Sequence, residues 1–419
     1  MSRPFSVSAA MLLISALFPA RAGAQVGSPG GVAAPKTLFA RVAFIEAYDQ
    51  NLLQSGQLPW ASPLFQVSGF YSAADGRLNF QRRTARSIAS LGGQATARYY
   101  HTVSSTIVDR YAVNGSYQNQ IARHTTFLAN VGAARRRGFA RGLPGDFSGE
   151  GSETDNTVEL SGLEDATFVQ VPGYLVRANL SLSQQLSARS SLQVGYGAAR
   201  LHLRPDFSQD RQFANVNWGQ RISKAFRLNA GYRYVDVRTG NLSRSSLQMV
   251  SGGLSYGDAL DRRTQLLFTG GLGAMRRDNR DQWRFVGGVQ LSRRLATTWT
   301  SSVSYMSRIG YFEGIADPAT YHAVRASLTG RWSQRLSSTV MSTYTVGDIG
   351  PAGDRFRIGF VSGRLSYGLS RNVGTYVMYR YYHYDFPEGR FRSIGLPETV
   401  SRNAVMVGIA IQTRTPLEP

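Results

Sequence analysis

Apolar residues alternate with polar or small residues along most of this chain, in segments of about ten residues that are separated by turns. Near residue 230, Leu228, Tyr232 and Tyr234 fall on one parity, and Arg227 and Arg233 fall on the other. Successive side chains of a β-strand point to opposite faces, so each segment has one apolar and one polar face. The recurrence of this pattern predicts an all-β protein, a transmembrane antiparallel up-and-down β-barrel. A soluble β-sandwich is less favoured, because its outer face would carry charges.

The chain begins with the features of a secretory signal peptide. Arg3 precedes an apolar run over residues 5–20, and the small residues Ala22 and Ala24 precede Gln25. The run is shorter than the roughly 20 apolar residues of a spanning helix, so a membrane anchor is the less favoured alternative. We expect a signal peptide over residues 1–24, a flexible periplasmic linker over 25–36, an outer-membrane barrel over 37–413 and a C-terminal tail over 414–419.

Turn-forming residues divide the barrel region into eighteen predicted strands, with sixteen as the alternative count. The second strand is predicted over residues 63–73 and the last over 400–413. Short turns such as 186–189 alternate with longer connections such as 386–398, which are rich in Asp, Gly and Pro. Outer-membrane barrels have short periplasmic turns and long external loops. An even strand count therefore places both chain ends in the periplasm.

Composition narrows the chemistry further. The absence of cysteine excludes disulfides and thiolate metal sites. The formal net charge is +21, carried almost entirely by arginine, since Lys36 and Lys224 are the only lysines. A GC-rich genome is an alternative explanation for that ratio. Basic proteins often bind nucleic acid, but an exported barrel does not meet it, so we expect lipid phosphates, small anions or acidic polysaccharides instead.

Arginine recurs on the polar strand faces, whereas the predicted strand interiors carry no carboxylate there. Such a wall would give the lumen a positive potential that attracts anions. The alternative is that these arginines pair with loop carboxylates and plug or rigidify the barrel. The predicted lumen-lining arginines are Arg41, Arg98, Arg110, Arg177, Arg221, Arg227, Arg233, Arg284, Arg308, Arg325, Arg331, Arg364, Arg380 and Arg402.

One predicted connection, residues 138–172, is both long and acidic. A connection of this length in a barrel is usually functional or disordered. We interpret it as a candidate constriction loop that folds into the pore opposite the arginines; a solvated external loop is the alternative. Its candidate residues are Asp146, Glu150, Glu153, Asp155, Glu159, Glu164 and Asp165.

The sequence does not predict an enzyme, a cofactor or a metal site. Nucleophilic catalysis requires a serine beside a histidine with an orienting acid, and metal hydrolysis requires clustered histidines and carboxylates. The five histidines, His101, His124, His202, His322 and His383, are far apart and match no metal-binding spacing. A barrel hydrolase is therefore the least favoured function.

The first predicted strand ends on Tyr48, Asp49, Gln50 and Asn51. This Tyr-Asp-x-Asn motif resembles a signature at the first loop of a family of outer-membrane β-barrel porins, which includes barrels associated with exopolysaccharide export. The C-terminus departs from the pattern, because many such barrels end on an aromatic residue whereas here a tail over 413–419 follows the last strand. The resemblance implies a large barrel with a transport role in the outer membrane of a Gram-negative-type bacterium.

Together these features predict a porin-like channel that conducts anionic or sugar-rich solutes through an arginine-lined lumen. The alternative is the outer-membrane barrel component of a polysaccharide export system. The expected partners are outer-membrane lipid and lipopolysaccharide, an anionic solute or polysaccharide, and the barrel-assembly machinery, with no nucleic acid.

Replacing the seven acidic residues of the candidate constriction loop with Ser and Asn tests its role. If the loop narrows the pore, removing its negative charge should alter single-channel conductance and strengthen anion selectivity. An unchanged conductance and selectivity would indicate a solvated external loop.

Overall fold

The computed structural model describes residues 36–53, 66–101, 107–137, 172–203, 207–223, 226–240, 243–261, 263–277, 280–311, 318–350, 353–385 and 399–417. They form one closed antiparallel sheet of eighteen strands, which confirms the predicted fold class and strand count. The described residues contain no helix long and apolar enough to span a membrane.

The strands are β1 (Lys36–Leu53), β2 (Gln66–Arg83), β3 (Ser87–Tyr100), β4 (Ile107–Ala122), β5 (Thr125–Arg137), β6 (Pro172–Gln185), β7 (Ser190–Leu203), β8 (Phe207–Arg221), β9 (Phe226–Thr239), β10 (Ser243–Asp261), β11 (Thr264–Arg277), β12 (Arg280–Ala296), β13 (Trp299–Tyr311), β14 (Pro318–Arg331), β15 (Leu336–Ile349), β16 (Asp354–Gly368), β17 (Val373–Asp385) and β18 (Thr399–Leu417).

The barrel closes where β1 pairs with β18. This closing seam is a ladder that runs from Lys36↔Leu417 to Asp49↔Ala404. It removes the two free sheet edges, whose unpaired backbone groups would be costly in hydrocarbon. The start of β1 and the end of β18 consequently lie at the same rim of the barrel.

The two faces of the strands differ as the alternation predicts. Ala43 is 2% exposed and its neighbour Phe44 is 59% exposed. On β18, Met406 is buried while Val405 and Val407 are exposed. We call the face that carries Ala43 and Met406 the inner face, and the opposite face the outer face. An outer face of exposed aliphatic and aromatic side chains is suited to contact with the hydrocarbon core of a membrane.

Among the strand boundaries that differ from the sequence prediction, those of β2 and β18 affect the closing seam. β2 continues to Arg83 rather than ending at residue 73, because Gly76, which resembles a turn residue, instead pairs with Val42 in a β1–β2 ladder that is continuous from Lys36 to Asp49. β18 continues to Leu417, into the predicted tail, because β1 offers it a partner as far as Lys36. Backbone pairing thus overrides the local turn signal at Asp75 and Gly76.

The rings of Trp299 and Trp332 contact each other on the outer face, next to the β14–β15 turn. Their ring centroids are 4.9 Å apart with planes at 89°, an edge-to-face pair. The Trp299 ring also covers Gly330, its direct partner on β14, in the space where a side chain would begin. Gly330 therefore lets the indole pack flat against the sheet.

Gly330→Ala should push Trp299 out of this position and lower the free energy of unfolding by about 1–3 kcal/mol, the usual range for overpacking. Urea titration in detergent, followed by tryptophan fluorescence, measures both effects. Gly363→Ala is the matched control, since nothing lies within 4 Å of the added methyl position. Equal effects of the two substitutions would contradict the packing explanation.

Candidate functional site

The observed strand register assigns the predicted arginines to the inner-face rows. Arg98 pairs with the buried Ala73, and Arg308 pairs with the buried Tyr321. The remaining predicted arginines share the parity of buried or inner-face residues on their own strands. The Arg110 side chain lies outside the described residues, as do the seven candidate constriction residues between Asp146 and Asp165. The role of these arginines as a solute-facing lining stays a prediction.

The inner wall has one region whose arginines are exposed to water, the open sector, and one region whose large side chains are buried, the packed sector. The open sector carries exposed arginines, which are Arg177, Arg221, Arg227, Arg284, Arg325 and Arg331. In the packed sector, Arg41, Arg380 and Arg402 are buried. Six large inner-face side chains lie at the ends of β14–β17 that are farthest from the rim where β1 starts. They are at most 2% exposed, namely Tyr321, Ile349, Phe356, Ile358, Tyr382 and Tyr384. Water therefore does not reach every part of the inner wall.

Arg402 and Asp49 form an ion pair across the closing seam. Arg402 Nε donates to both carboxylate oxygens of Asp49 at 2.8 Å, and Arg402 Nη2 also contacts Oδ2. Asp49 is 0% exposed and Arg402 is 5% exposed. The two residues are 353 positions apart in the sequence, so barrel closure alone brings them together.

A second inner-face carboxylate, Asp75, lies on β2. Arg77 Nε lies 3.2 Å from Asp75 Oδ1, and the Thr96 hydroxyl donates to Oδ2 at 2.8 Å. The expectation that strand interiors have no carboxylate on the polar face is therefore wrong, for Asp75 as well as for Asp49. The predicted end of β2 at residue 73 concealed Asp75 and Arg77.

Sequence reasoning missed several inner-face arginines, among them Arg77 and Arg211. A signal for Arg77 was present, because exposed Leu78 continues the outer-face alternation of β2 beyond Asp75. Arg211 lies opposite the buried Val237 in the β8–β9 ladder. Both add positive charge to the inner rows.

Several inner-face arginines are oriented by contacts with neutral groups. Arg227 crosses Gly219 on β8 and donates to the Ser191 hydroxyl on β7 at 3.4 Å. Arg233 lies 5.1 Å from the centroid of the Phe213 ring, a cation–π contact. Such contacts fix the direction of a guanidinium without neutralising its charge.

Three histidines contact hydroxyl groups at the strand ends that lie farthest from the rim where β1 starts. His101 lies 2.8 Å from Ser72 Oγ, His322 2.8 Å from the Tyr305 hydroxyl, and His383 2.8 Å from Ser401 Oγ. Among the described residues, none of these three histidines hydrogen-bonds a carboxylate. Over the same residues, no group of three metal-ligating side chains is placed to hold an ion.

Asp49→Asn tests the buried pair. Loss of the carboxylate charge leaves the Arg402 guanidinium buried without its counter-charge, which should lower the free energy of unfolding by about 3–5 kcal/mol. Asp210→Asn is the control, because its partner Arg200 is 61% exposed and exposed pairs contribute about 0–1 kcal/mol. Denaturant titration in lipid vesicles measures both. Equal losses would show that burial does not distinguish the two pairs.

The chain matches no family model and no curated protein. Its fold is similar to that of OccK7 (OpdD) from Pseudomonas aeruginosa, with TM-score 0.48 and 13% identity over 92% of this chain and 100% of that one. OpdQ from the same species gives TM-score 0.47 and 10% identity over 92% and 98%. The siderophore receptor PirA from Acinetobacter baumannii gives 0.45 and 9% over 89% and 80%. These values concern barrel architecture alone.

Localisation follows from the fold itself. Each strand of this closed barrel is paired on both sides within the sheet, and the outer face carries exposed apolar side chains around the circumference. This is the architecture of outer-membrane proteins, so the large outer-membrane barrel implied by the sequence resemblance is confirmed.

Proposed function

We propose that this protein is a porin-like channel that conducts small anionic solutes across the outer membrane. The observation that carries the proposal is the charge of the inner wall. Arginines occupy inner-face rows on strands around the barrel, while Asp49 and Asp75 lie next to the closing seam and are engaged by Arg402 and Arg77. This excess of arginines over carboxylates on the inner face supports a positive electrostatic potential inside the barrel, which the low-dielectric walls strengthen.

The exposed arginines of the open sector supply the pathway. Arg177 on β6, Arg284 on β12 and Arg325 on β14 are exposed and belong to inner-face rows. A barrel of about eighteen strands is wide enough to leave an aqueous channel. Anions that enter would meet successive guanidinium groups separated by water, and each attraction would be weak enough to permit release.

Sugar-rich solutes fit the same wall where they carry acidic groups, since Arg binds carboxylate and phosphate through paired donors. Export of an acidic polysaccharide is the alternative prediction. It would use the same arginines along the path of a polymer, and no described contact favours it over a passive channel.

The reversal potential in planar bilayers under a salt gradient should show anion selectivity. Combined Arg177→Gln, Arg284→Gln and Arg325→Gln substitution should lower the anion-to-cation permeability ratio by about threefold or more, because each charge contributes to a potential of several kT. The matched control removes the same charge from exposed outer-face positions, with Arg200→Gln, Arg238→Gln and Arg357→Gln. A cation-selective native channel would refute the proposal.

A further inference from the structure

We propose that four arginines and one tyrosine beside the closing seam form a subsite that binds an oxyanion group, a carboxylate or a phosphate, of a passing solute. The residues are Arg41, Arg77, Arg364, Arg380 and Tyr376, which we call the Tyr376 cluster. The inference rests on the proposed function and deepens it, because it adds a specific binding position to a wall that otherwise attracts anions in general.

The first half of the cluster lies on β1 and β2. Arg41 and Arg77 are direct cross-strand partners in the β1–β2 ladder. Like charges directly opposite each other are destabilising. Asp75 offsets part of this repulsion, but its carboxylate is engaged by Arg77 and by the Thr96 hydroxyl. Asp75 is thus shared between Arg77 and Thr96 at a site that holds several guanidinium groups.

Arg41 is the least satisfied member. The residue is 8% exposed, and its Nε is buried without a hydrogen-bond partner among the described residues. A buried charged donor without an acceptor is costly, because it has lost its water and gained nothing in exchange. An oxyanion at this position would supply the acceptor that Arg41 Nε lacks.

The second half of the cluster lies on β16 and β17, with Tyr376 on β17 between Arg364 on β16 and Gly408 on β18. The guanidinium carbon of Arg364 lies 4.3 Å from the Tyr376 ring centroid. The same ring packs over Gly408 on β18, where a side chain would block it. Arg364, Arg41, Arg380 and Asp75 all lie close enough to Tyr376 for their charges to act on it, which places Tyr376 within the group.

Two further contacts of the cluster are with neutral atoms. Arg364 Nε donates to the Ser366 hydroxyl at 3.0 Å, and Arg380 Nε contacts the thioether sulfur of Met378 at 3.1 Å. A thioether is a weak acceptor. These contacts hold the guanidinium groups in place and preserve their charge.

The geometry favours oxyanions over halides. A guanidinium presents several N–H donors in a plane, which suits the paired oxygens of a carboxylate or phosphate. Burial of Arg41 and Arg380 reduces screening by salt compared with the exposed arginines of the open sector. A spherical chloride ion can satisfy fewer of these donors at once.

The test measures block of the chloride current through the full-length protein in planar bilayers. Inorganic phosphate and succinate are added separately as probes, and the stronger blocker identifies the preferred group. Saturable block is expected with at least one of them. Arg41→Gln should raise the half-blocking concentration about tenfold, the effect of losing a charge-assisted hydrogen bond. Arg41→Lys, which keeps the charge but lacks Nε, should give an intermediate value.

Arg325→Gln is the matched control, since it removes one inner-face charge on β14, away from the Tyr376 cluster. It should lower anion selectivity but change the half-blocking concentration less than twofold. Tyr376→Phe should weaken block while keeping the ring that packs on Gly408, and it serves as the second variant should Arg41→Gln fail to assemble.

Each contrary outcome has a distinct meaning. An anion-selective channel that neither probe blocks would overturn the subsite and leave the proposed function standing. Equal shifts from Arg41→Gln and Arg325→Gln would assign the block to the general potential of the wall, and would also overturn the subsite. A cation-selective native channel would overturn both proposals.

Discussion

Backbone hydrogen bonding in hydrocarbon is the constraint on which the rest of this structure depends. Every membrane-spanning strand requires a partner on both sides, because lipid offers no donor or acceptor. The ladder between β1 and β18 meets that requirement for the last two edges. Closure also brings the start of β1 and the end of β18 to one rim and fixes which residues of β1 face β18. The inner-face chemistry at the seam follows from this single pairing.

Closure explains the position of the buried ion pair. A slip of one residue in the seam would turn Asp49 towards lipid, since the side-chain period of a strand is two. Its pairing with Arg402 on the inner face therefore penalises the wrong register. A buried ion pair is weak support for stability, because desolvation offsets the attraction, but it is well suited to specifying register. The fourteen-residue ladder from Lys36 to Asp49 thus ends on an inner-face carboxylate that is paired with Arg402 on β18.

The alternation in the sequence predicted the class, the strand count and the strand face of most of the inner-face arginines, because the two faces of a membrane strand meet different solvents. It did not predict the length of β2, since Asp75 and Gly76 resemble a turn when read locally. Nor did it predict that Arg402 meets Asp49, a contact that depends on closure. Parity also cannot show where the lumen is packed: Phe356 and Arg325 share the inner face, yet one is buried and the other exposed. That difference depends on what covers the wall, which a single strand does not encode.

The two sectors of the inner wall suggest a division between attraction and binding. Exposed arginines such as Arg284 act through water, and salt at physiological strength screens them within about 8 Å. Buried arginines such as Arg41 are screened less and bind more strongly. Transport requires that a solute enter favourably and still leave, so strong binding sites must be few and their attraction must be limited. Asp75 limits it, because its carboxylate partly neutralises the charge of Arg77 and so weakens the attraction of Arg77 for a bound anion. A wall of fully buried, unopposed arginines would retain its solute, whereas one partly neutralised cluster beside an open basic sector can pass the solute on.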